Sequence, residues 1–200
     1  MIISAPALPK RIVALCFAIF FTILTGAHAQ RTWNGAGGDL DWSTVANWIN
    51  GEPDDWNGVD NNAVIDGAFT VEITRTGEIA RIISIGETGN DTVNMTGGGL
   101  TARSIRLLAR GAGSTANFNF LNGTISLTDN VGGNGHAVHI SGDGTNSSPA
   151  GDAVFTMGDI GNTLANPVLT YQGGRFELST SQTLVGNRGV QSATFNLESG

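Results

Sequence analysis

Apolar and polar residues alternate in short runs along most of the chain, and many of these runs end in glycine, asparagine or aspartate. Alternation with a period of two is typical of β-strands, because successive side chains of a strand point to opposite faces. Glycine and asparagine tolerate the positive φ angles that tight turns need. The pattern therefore predicts short strands joined by tight turns, and the frequent glycines argue against helices.

One motif recurs along the chain: an apolar-x-apolar strand, a Gly/Asn turn and a second apolar-x-apolar strand. Its copies lead with Val93, Phe118, Leu169 and Phe195, at offsets of 25, 51 and 26 residues. The middle offset is about twice the others, so one degenerate copy is expected in between, with candidates starting at Ala137 and Asp152. Asn94, Asn119 and Asn196 alternate with the apolar residues and are expected to face outward.

Two short strands and their turns in each repeat are typical of one coil of a parallel β-helix, in which each coil hydrogen-bonds to the next. We therefore predict an all-β fold, a right-handed parallel β-helix (β-solenoid) with a Trp-rich N-terminal cap. This fold requires Phe118 and Leu169 at equivalent positions of different coils. An antiparallel sandwich or jelly roll is the alternative, since it also uses many short strands but needs no fixed repeat.

The first 29 residues have the layout of a secretory signal peptide. Lys10 and Arg11 precede an uncharged apolar run at residues 12–24, and Ala27-His28-Ala29 gives the small-x-small cleavage pattern. An uncleaved anchor is the alternative, although the run is shorter than the about 20 residues of a membrane span. We predict cleavage after Ala29, no membrane span afterwards, and a secreted or outer cell-surface location.

The predicted mature chain, residues 30–200, is acidic and has no cysteine or lysine. It carries eight arginines and seventeen carboxylates, a net charge of −9. A charge of this sign repels phosphate backbones, so nucleic acid is not expected as a partner. Without cysteine the fold has no disulfides, so packing and backbone pairing must stabilise it.

All four tryptophans, Trp33, Trp42, Trp48 and Trp56, precede the first clear repeat. A stack of strands exposes apolar residues and unpaired backbone groups at its ends, and terminal repeats must cover them. We predict that residues 30–66 form a cap built on these indoles and that residues 67–200 form the repeats. A sugar-stacking platform of exposed indoles is the alternative.

The segment TWNGAGGDLDWSTVANWINGEPD, followed by NNAVID and glycine-rich repeats, resembles the start of exported bacterial surface proteins. These are the autotransporter-associated β-strand repeat proteins and the PEP-CTERM-type surface proteins. The resemblance implies a β-helix on the cell surface. Such proteins usually end in a translocator barrel or an anchor helix, so we expect the repeats to continue beyond Gly200 in a longer protein.

Candidate metal ligands are sparse. Asp54, Asp55, Asp60 and Asp66 offer the hard oxygen ligands that calcium prefers, but their order does not match an EF-hand loop. We therefore predict no cofactor and a solvated acidic loop, with a calcium site near Asp54, Asp55 and Asp60 as the alternative. His136 and His139 are three residues apart in a predicted strand, where they would face opposite sides and not chelate a metal.

The sequence favours a structural function over catalysis. A lyase on this fold would need a carboxylate cluster for calcium and a basic residue to remove a proton. The eight arginines do not pair with carboxylates at a recurring strand position. Arg103, Arg106 and Arg110 cluster, but charges at strand ends and corners are usually just solvated. We predict a non-enzymatic, adhesin-like stalk or passenger segment, which has no catalytic residues and has extracellular glycans or other cell-surface components as partners. A carbohydrate-binding or polysaccharide-cleaving protein is the alternative.

Overall fold

The structure, a computed structural model, describes residues 30–56, 58, 61–109, 111, 113–128, 136–141, 151–158, 167–171, 175–179 and 192–197. The predicted signal peptide, with Ala27 and Ala29, lies outside these residues. The strands are β1 (Arg31–Trp33), β2 (Trp48–Ile49), β3 (Ala63–Ile65), β4 (Thr70–Ile73), β5 (Glu78–Ile85), β6 (Asn90–Met95), β7 (Gly99–Leu107), β8 (Thr115–Phe120), β9 (Gly123–Leu127), β10 (His136–Ser141), β11 (Asp152–Met157), β12 (Pro167–Tyr171), β13 (Arg175–Ser179) and β14 (Ser192–Leu197). Helix among the described residues is limited to one 3-10 turn, Val45–Asn47.

The strands form two sheets. The nine-stranded sheet has the order β12-β9-β7-β5-β3-β1-β2, with β10 pairing to β7 and β13 pairing to β10. It is mixed, because β1 and β2 are antiparallel while its other pairs are parallel. The five-stranded sheet, β14-β11-β8-β6-β4, is parallel throughout.

The predicted right-handed parallel β-helix is wrong. Phe118 and Leu169, which that fold places at equivalent positions, lie in different sheets: Phe118 is paired with Phe155, and Leu169 with Ile125. The nine-stranded sheet is also mixed, and its strand β7 pairs with both β9 and β10. The antiparallel sandwich does not describe the molecule either, since only the β1–β2 pair is antiparallel among the strand pairs of the described residues.

The misalignment has a physical cause. Both strands of the repeated motif have the same period of two, so the pattern alone does not distinguish the first strand from the second. The first two copies align as predicted, with Val93 beside Phe118 and Leu100 beside Ile125. In the third copy the strand that contains Leu169, β12, pairs with β9, which is the second strand of its copy. The position beside β8, where the repeat predicts Leu169, is occupied by β11 from the degenerate segment at Asp152.

Apolar side chains from both sheets form one buried cluster that includes the N-terminal indoles. In the five-stranded sheet the parallel register brings Phe118 and Phe155 together with their rings stacked at 5.3 Å. Alternate positions such as Asn94 and Asn119 are partly exposed and polar, and Asn119 Nδ2 donates to Asn94 Oδ1 at 2.8 Å. The side chain of Asn196 lies outside the described residues.

Candidate functional site

The candidate site is the N-terminal segment, residues 30–56, together with the strand ends that it contacts. The segment adds β1 and β2 to the nine-stranded sheet. It also reaches the five-stranded sheet, because Trp42 N donates to Glu72 O at 2.9 Å and Glu72 N donates to Leu40 O at 2.7 Å. One irregular segment therefore contacts β3 of one sheet and β4 of the other.

Three of the four tryptophans form a buried cluster within this segment. Trp33, Trp42 and Trp48 are 2%, 0% and 4% exposed. Trp48 makes edge-to-face contacts with the other two rings, at centroid distances of 5.1 Å to Trp33 and 4.8 Å to Trp42. Such contacts stabilise aromatic pairs beyond the burial of their area. The faces of these three indoles are consequently not available for stacking on a sugar.

The indole nitrogens differ in their partners. Trp48 Nε1 donates to the carbonyl oxygen of Trp42 at 2.7 Å. Trp42 Nε1 is buried and has no hydrogen-bond partner among the described residues. Trp56 is only half-buried, so it differs from the three indoles of the buried cluster.

Asn47 is the polar centre of the segment. Its side chain is fully buried; Oδ1 accepts from Gly37 N at 2.7 Å, and Nδ2 donates to Asp39 Oδ1 at 2.7 Å. Nδ2 also lies 3.2 Å from the carbonyl oxygens of Asp39 and Asp41. These contacts join the turn at residues 36–39 to the 3-10 turn, and they fix the backbone that carries Trp42 and Trp48.

The carboxylate of Asp39 is held in its ionised form by this network. Its pKa is lowered, chiefly by the hydrogen bond from Asn47 and then by that from Thr44 Oγ1, which is 2.9 Å long. A hydrogen bond to the charged form of a carboxyl favours that form. Asp39 is exposed, so its role is to complete the hydrogen bonding of Asn47.

A pair of carboxyl groups, Glu52 and Glu78, lies where the segment meets β5. Burial raises the pKa of Glu52 to about 7, with further contributions from its hydrogen bond to Glu78 and from the charges of Glu78 and Asp41. Ser43 Oγ donates to Glu78 Oε1 at 2.6 Å. A hydrogen bond between two carboxyls requires a proton on one of them, so the pair stores a proton near neutral pH.

Arg75 and Asp41 form an ion pair close to these carboxyls, with 3.1 Å between Nη2 and Oδ2. The guanidinium charge acts against the increase in the pKa of Glu52 but is a smaller influence than burial. Chemically, a carboxyl that titrates near pH 7 can donate or accept a proton at neutral pH. Here it also links the N-terminal segment to β5, so its ionisation affects the contact between them.

An open cleft of about 440 Å³ lies on another side of the segment. Trp33, Phe69 and Leu40 supply its apolar lining, and Asp39 and Thr70 supply polar groups. Glu52 and Glu78 do not line it. A cleft with apolar walls and a few polar groups is typical of small-ligand sites.

The candidate metal ligands considered from the sequence do not assemble into a site within the described part of the chain. Asp60 lies outside it, and Asp54 and Asp55 are exposed. The backbone N–H of Asp54 donates to Asn61 Oδ1 at 3.2 Å. His136 and His139 lie on β10, and the described residues contain no group of three or more His, Cys, Asp or Glu suited to a metal.

The sequence analysis missed Asn47 and the Glu52–Glu78 pair. Glu52 and Glu78 are 26 residues apart, and neither belongs to a motif. Asn47 lies between Trp42 and Trp48 in the sequence, and a polar residue among apolar ones is a signal that could have found it.

Comparison with known proteins gives no family: no family model matches the chain, and neither curated proteins nor solved structures show significant similarity to it. Within the described residues, helices with the length and apolar character needed for a bilayer span are absent.

Proposed function

We propose that this chain is an exported, non-enzymatic segment of a bacterial surface protein that serves as a stalk or an adhesive passenger. Residues 1–29 are its signal peptide, and the mature chain is located outside the cell or on the outer cell surface. The Trp-rich opening, which resembles that of autotransporter-associated and PEP-CTERM-type proteins, supports this location.

The observation that carries the proposal is the outer face of the five-stranded sheet. Asn119 Nδ2 donates to Asn94 Oδ1, and Asn94 Nδ2 donates in turn to Glu72 Oε1, each at 2.8 Å. The polar side chains thus satisfy one another from strand to strand instead of converging on a ligand. A surface of this kind is solvated and stable, which suits a structural element better than a catalytic one.

Carbohydrate binding is the second candidate, and the cleft beside Trp33 favours it. Phe69 and Leu40 offer apolar contact, while Asp39 and Thr70 offer hydrogen-bonding groups of the kind that orient a sugar. The cleft, and not a row of exposed indoles, is the place where a sugar would bind. Cleavage of a polysaccharide would require proton transfer, for which Glu52 is the group with a suitable pKa.

Export is tested by expressing the full chain in a Gram-negative host. We expect a mature N-terminus at Gln30 by mass spectrometry, and loss of processing in the double variant A27L/A29L, because bulky residues block the small-x-small cleavage pattern. Retention of an unprocessed wild-type chain in the cytoplasm would contradict the proposal.

Function is tested on the purified mature chain with acidic and neutral polysaccharides, with and without added calcium. We expect no release of shortened products. Cleavage of a polysaccharide by the wild type that is lost in Glu52→Gln would contradict the structural function and favour a catalytic one. Binding of a neutral oligosaccharide that is lost in Phe69→Ala, but not in Trp56→Ala, would favour the second candidate.

A further inference from the structure

Arginines that are distant in the sequence meet on the outer face of the nine-stranded sheet. Ala80 pairs with Ala102 and Ile82 with Ser104, so Arg81 and Arg103 lie side by side on the parallel strands β5 and β7. Three residues further along β7, Arg106 pairs with Ser84 on one side and with His139 of β10 on the other. We call Arg81, Arg103, Arg106 and His139 the arginine face.

These positions point away from the apolar core. Their neighbours along the strands, Ala80, Ala102 and Ile105, are fully buried, whereas the four residues of the arginine face are partly exposed. The opposite orientation of adjacent residues is the alternation expected in a strand. Ser104 breaks it, because it follows Arg103 directly and is 2% exposed.

In this region Arg81 Nε and Ser104 Oγ are buried without a hydrogen-bond partner among the described residues. A buried donor that is left unsatisfied costs about 1–3 kcal/mol, and more when the group is charged. Such atoms are uncommon in folded proteins and point to a partner that is not part of the chain itself.

The charge distribution agrees with an anionic partner. The mature chain has a net charge of −9, yet it places two of its eight arginines directly beside each other on neighbouring strands. An anion beside Arg81 would supply the acceptor that its Nε lacks.

We propose that the arginine face binds a linear acidic polysaccharide, one that carries carboxylate or sulfate groups along its length. Arginine suits this ligand because its planar guanidinium forms paired hydrogen bonds with carboxylate and sulfate oxygens. The positive groups extend both across strands, from Arg81 to Arg103, and along β7, from Arg103 to Arg106. An extended polyanion matches this arrangement better than a single small anion.

The test is a binding titration of the purified mature chain at low and moderate salt. Polygalacturonate supplies carboxylates, heparin supplies sulfates as well, and dextran is the neutral control. We expect one of the polyanions to bind, dextran not to bind, and the affinity to fall with rising salt because the contact is ionic.

The double variant R81Q/R103Q is expected to reduce the affinity by about tenfold or more, since two charged hydrogen-bonding groups are lost. Arg75→Gln is the control for net charge when it is compared with the single variant Arg81→Gln, since each removes one positive charge. Arg75 is exposed and pairs with Asp41 outside the arginine face, so we expect unchanged binding. Equal losses of affinity in R75Q and R81Q would overturn the proposal, because they would show that only overall charge matters.

A second variant keeps the test decisive if the double variant does not fold. Ser84→Glu places a carboxylate beside Arg106 without removing any arginine, and it should weaken polyanion binding. Absence of binding to both polyanions by the wild-type chain would overturn the proposal, and so would equal affinity for duplex DNA. Neither result would bear on export or on the lack of turnover.

Discussion

The N-terminal segment (residues 30–56) and the parallel region (residues 63–128) differ in how they pack apolar side chains and satisfy the hydrogen bonds of polar ones. In the parallel region one arrangement is repeated: apolar side chains stack in register, and asparagines such as Asn119 hydrogen-bond to the equivalent residue of the next strand. In the N-terminal segment nothing is repeated. Its backbone is irregular, and a single fully buried asparagine, Asn47, satisfies groups from several turns.

This difference determines where each region is sensitive to substitution. Loss of one outer side chain in the parallel region leaves its neighbours exposed to water, which can replace the lost partner. Loss of Asn47 leaves buried donors and acceptors that water does not reach. The N-terminal segment should therefore depend on a few side chains, and the parallel region on its backbone geometry.

The largest expected effect is that of Trp42→Ala. The fully buried indole contacts Trp48 and belongs to the core shared by both sheets, so its removal leaves a cavity. We expect the free energy of unfolding to fall by about 3–5 kcal/mol. Chemical denaturation measures this loss, and Trp56→Ala is the control with a smaller effect because Trp56 is half-buried. Equal effects of the two substitutions would refute the buried cluster.

Gly98→Ala should be next, and it tests the parallel region. Gly98 has a φ of 72°, and an added Cβ would lie 2.1 Å from the carbonyl oxygen of Arg75. We expect a loss of about 3 kcal/mol from left-handed strain plus overpacking. Gly38 in the N-terminal segment has a φ of 82° but no atom within 4 Å of such a Cβ.

Gly38→Ala should therefore cost only about 1–2 kcal/mol, the cost of a left-handed conformation alone. The difference between the two glycine variants isolates the close backbone approach in the parallel region. If Gly98→Ala lost no more stability than Gly38→Ala in a denaturation experiment, the close approach of Gly98 to the backbone of Arg75 would be contradicted.

Asn47→Ala compared with Asn119→Ala tests the contrast between the two regions with one residue type. We expect a loss of about 2 kcal/mol for Asn47, because buried groups lose their partners, and about 0.5 kcal/mol for Asn119 at a partly exposed position. Thermal and urea unfolding of both variants provide the comparison. A larger loss of stability in Asn119→Ala than in Asn47→Ala would contradict the role of Asn47 as the polar centre of the N-terminal segment.

The smallest expected effect is on pH dependence. The pKa of Glu52 is about 7 in the folded chain, above its ordinary value of 4.5, so the folded state holds a proton that the unfolded chain has released. The free energy of unfolding should therefore fall as the pH rises from about 4.5 to about 7. Glu52 is only half-buried, and solvent screening keeps this change small.

Glu52→Gln should show a smaller decrease in stability between about pH 5 and pH 8 than the wild type, measured by urea midpoints. Asp39→Asn is the control that should keep the wild-type pH dependence between pH 5 and pH 8. Because the pKa of Asp39 is lowered, its contribution is present above the ordinary pKa and is lost as the pH falls through the folded value. The opposite result would contradict the proton shared by Glu52 and Glu78: the stability of the wild type would rise from pH 5 to pH 8, and Glu52→Gln would abolish that rise.

The sequence predicts the regular part of this molecule better than its connections. Period-two alternation locates the strands around Val93, Phe118 and Ile125 and their register, because each apolar position must face the core. It does not tell which sheet a strand joins: the repeat predicts Leu169 beside Phe118, where the structure has Phe155. Strands with the same pattern can occupy the same neighbouring position, so alternation alone does not select between them.

The candidate site was less predictable, because it depends on contacts between residues distant in the sequence. The tryptophans were singled out from their clustering, and Trp33, Trp42 and Trp48 do lie together. The meeting of Glu52 with Glu78, and of Arg81 with Arg103, follows only from strand order and register. No local motif marks such pairs, since each residue taken alone resembles an ordinary surface charge.

The central claim is that the indole cluster and the two sheets form one cooperative core. All four tryptophans lie between residues 33 and 56, so their fluorescence reports on the N-terminal segment, whereas far-UV circular dichroism reports on the strands. Both signals should be followed during one urea titration of the mature chain. We expect coincident transitions, the mark of a single cooperative unit. A fluorescence transition at lower urea, with the strand signal unchanged, would show that the segment unfolds alone and would contradict the claim.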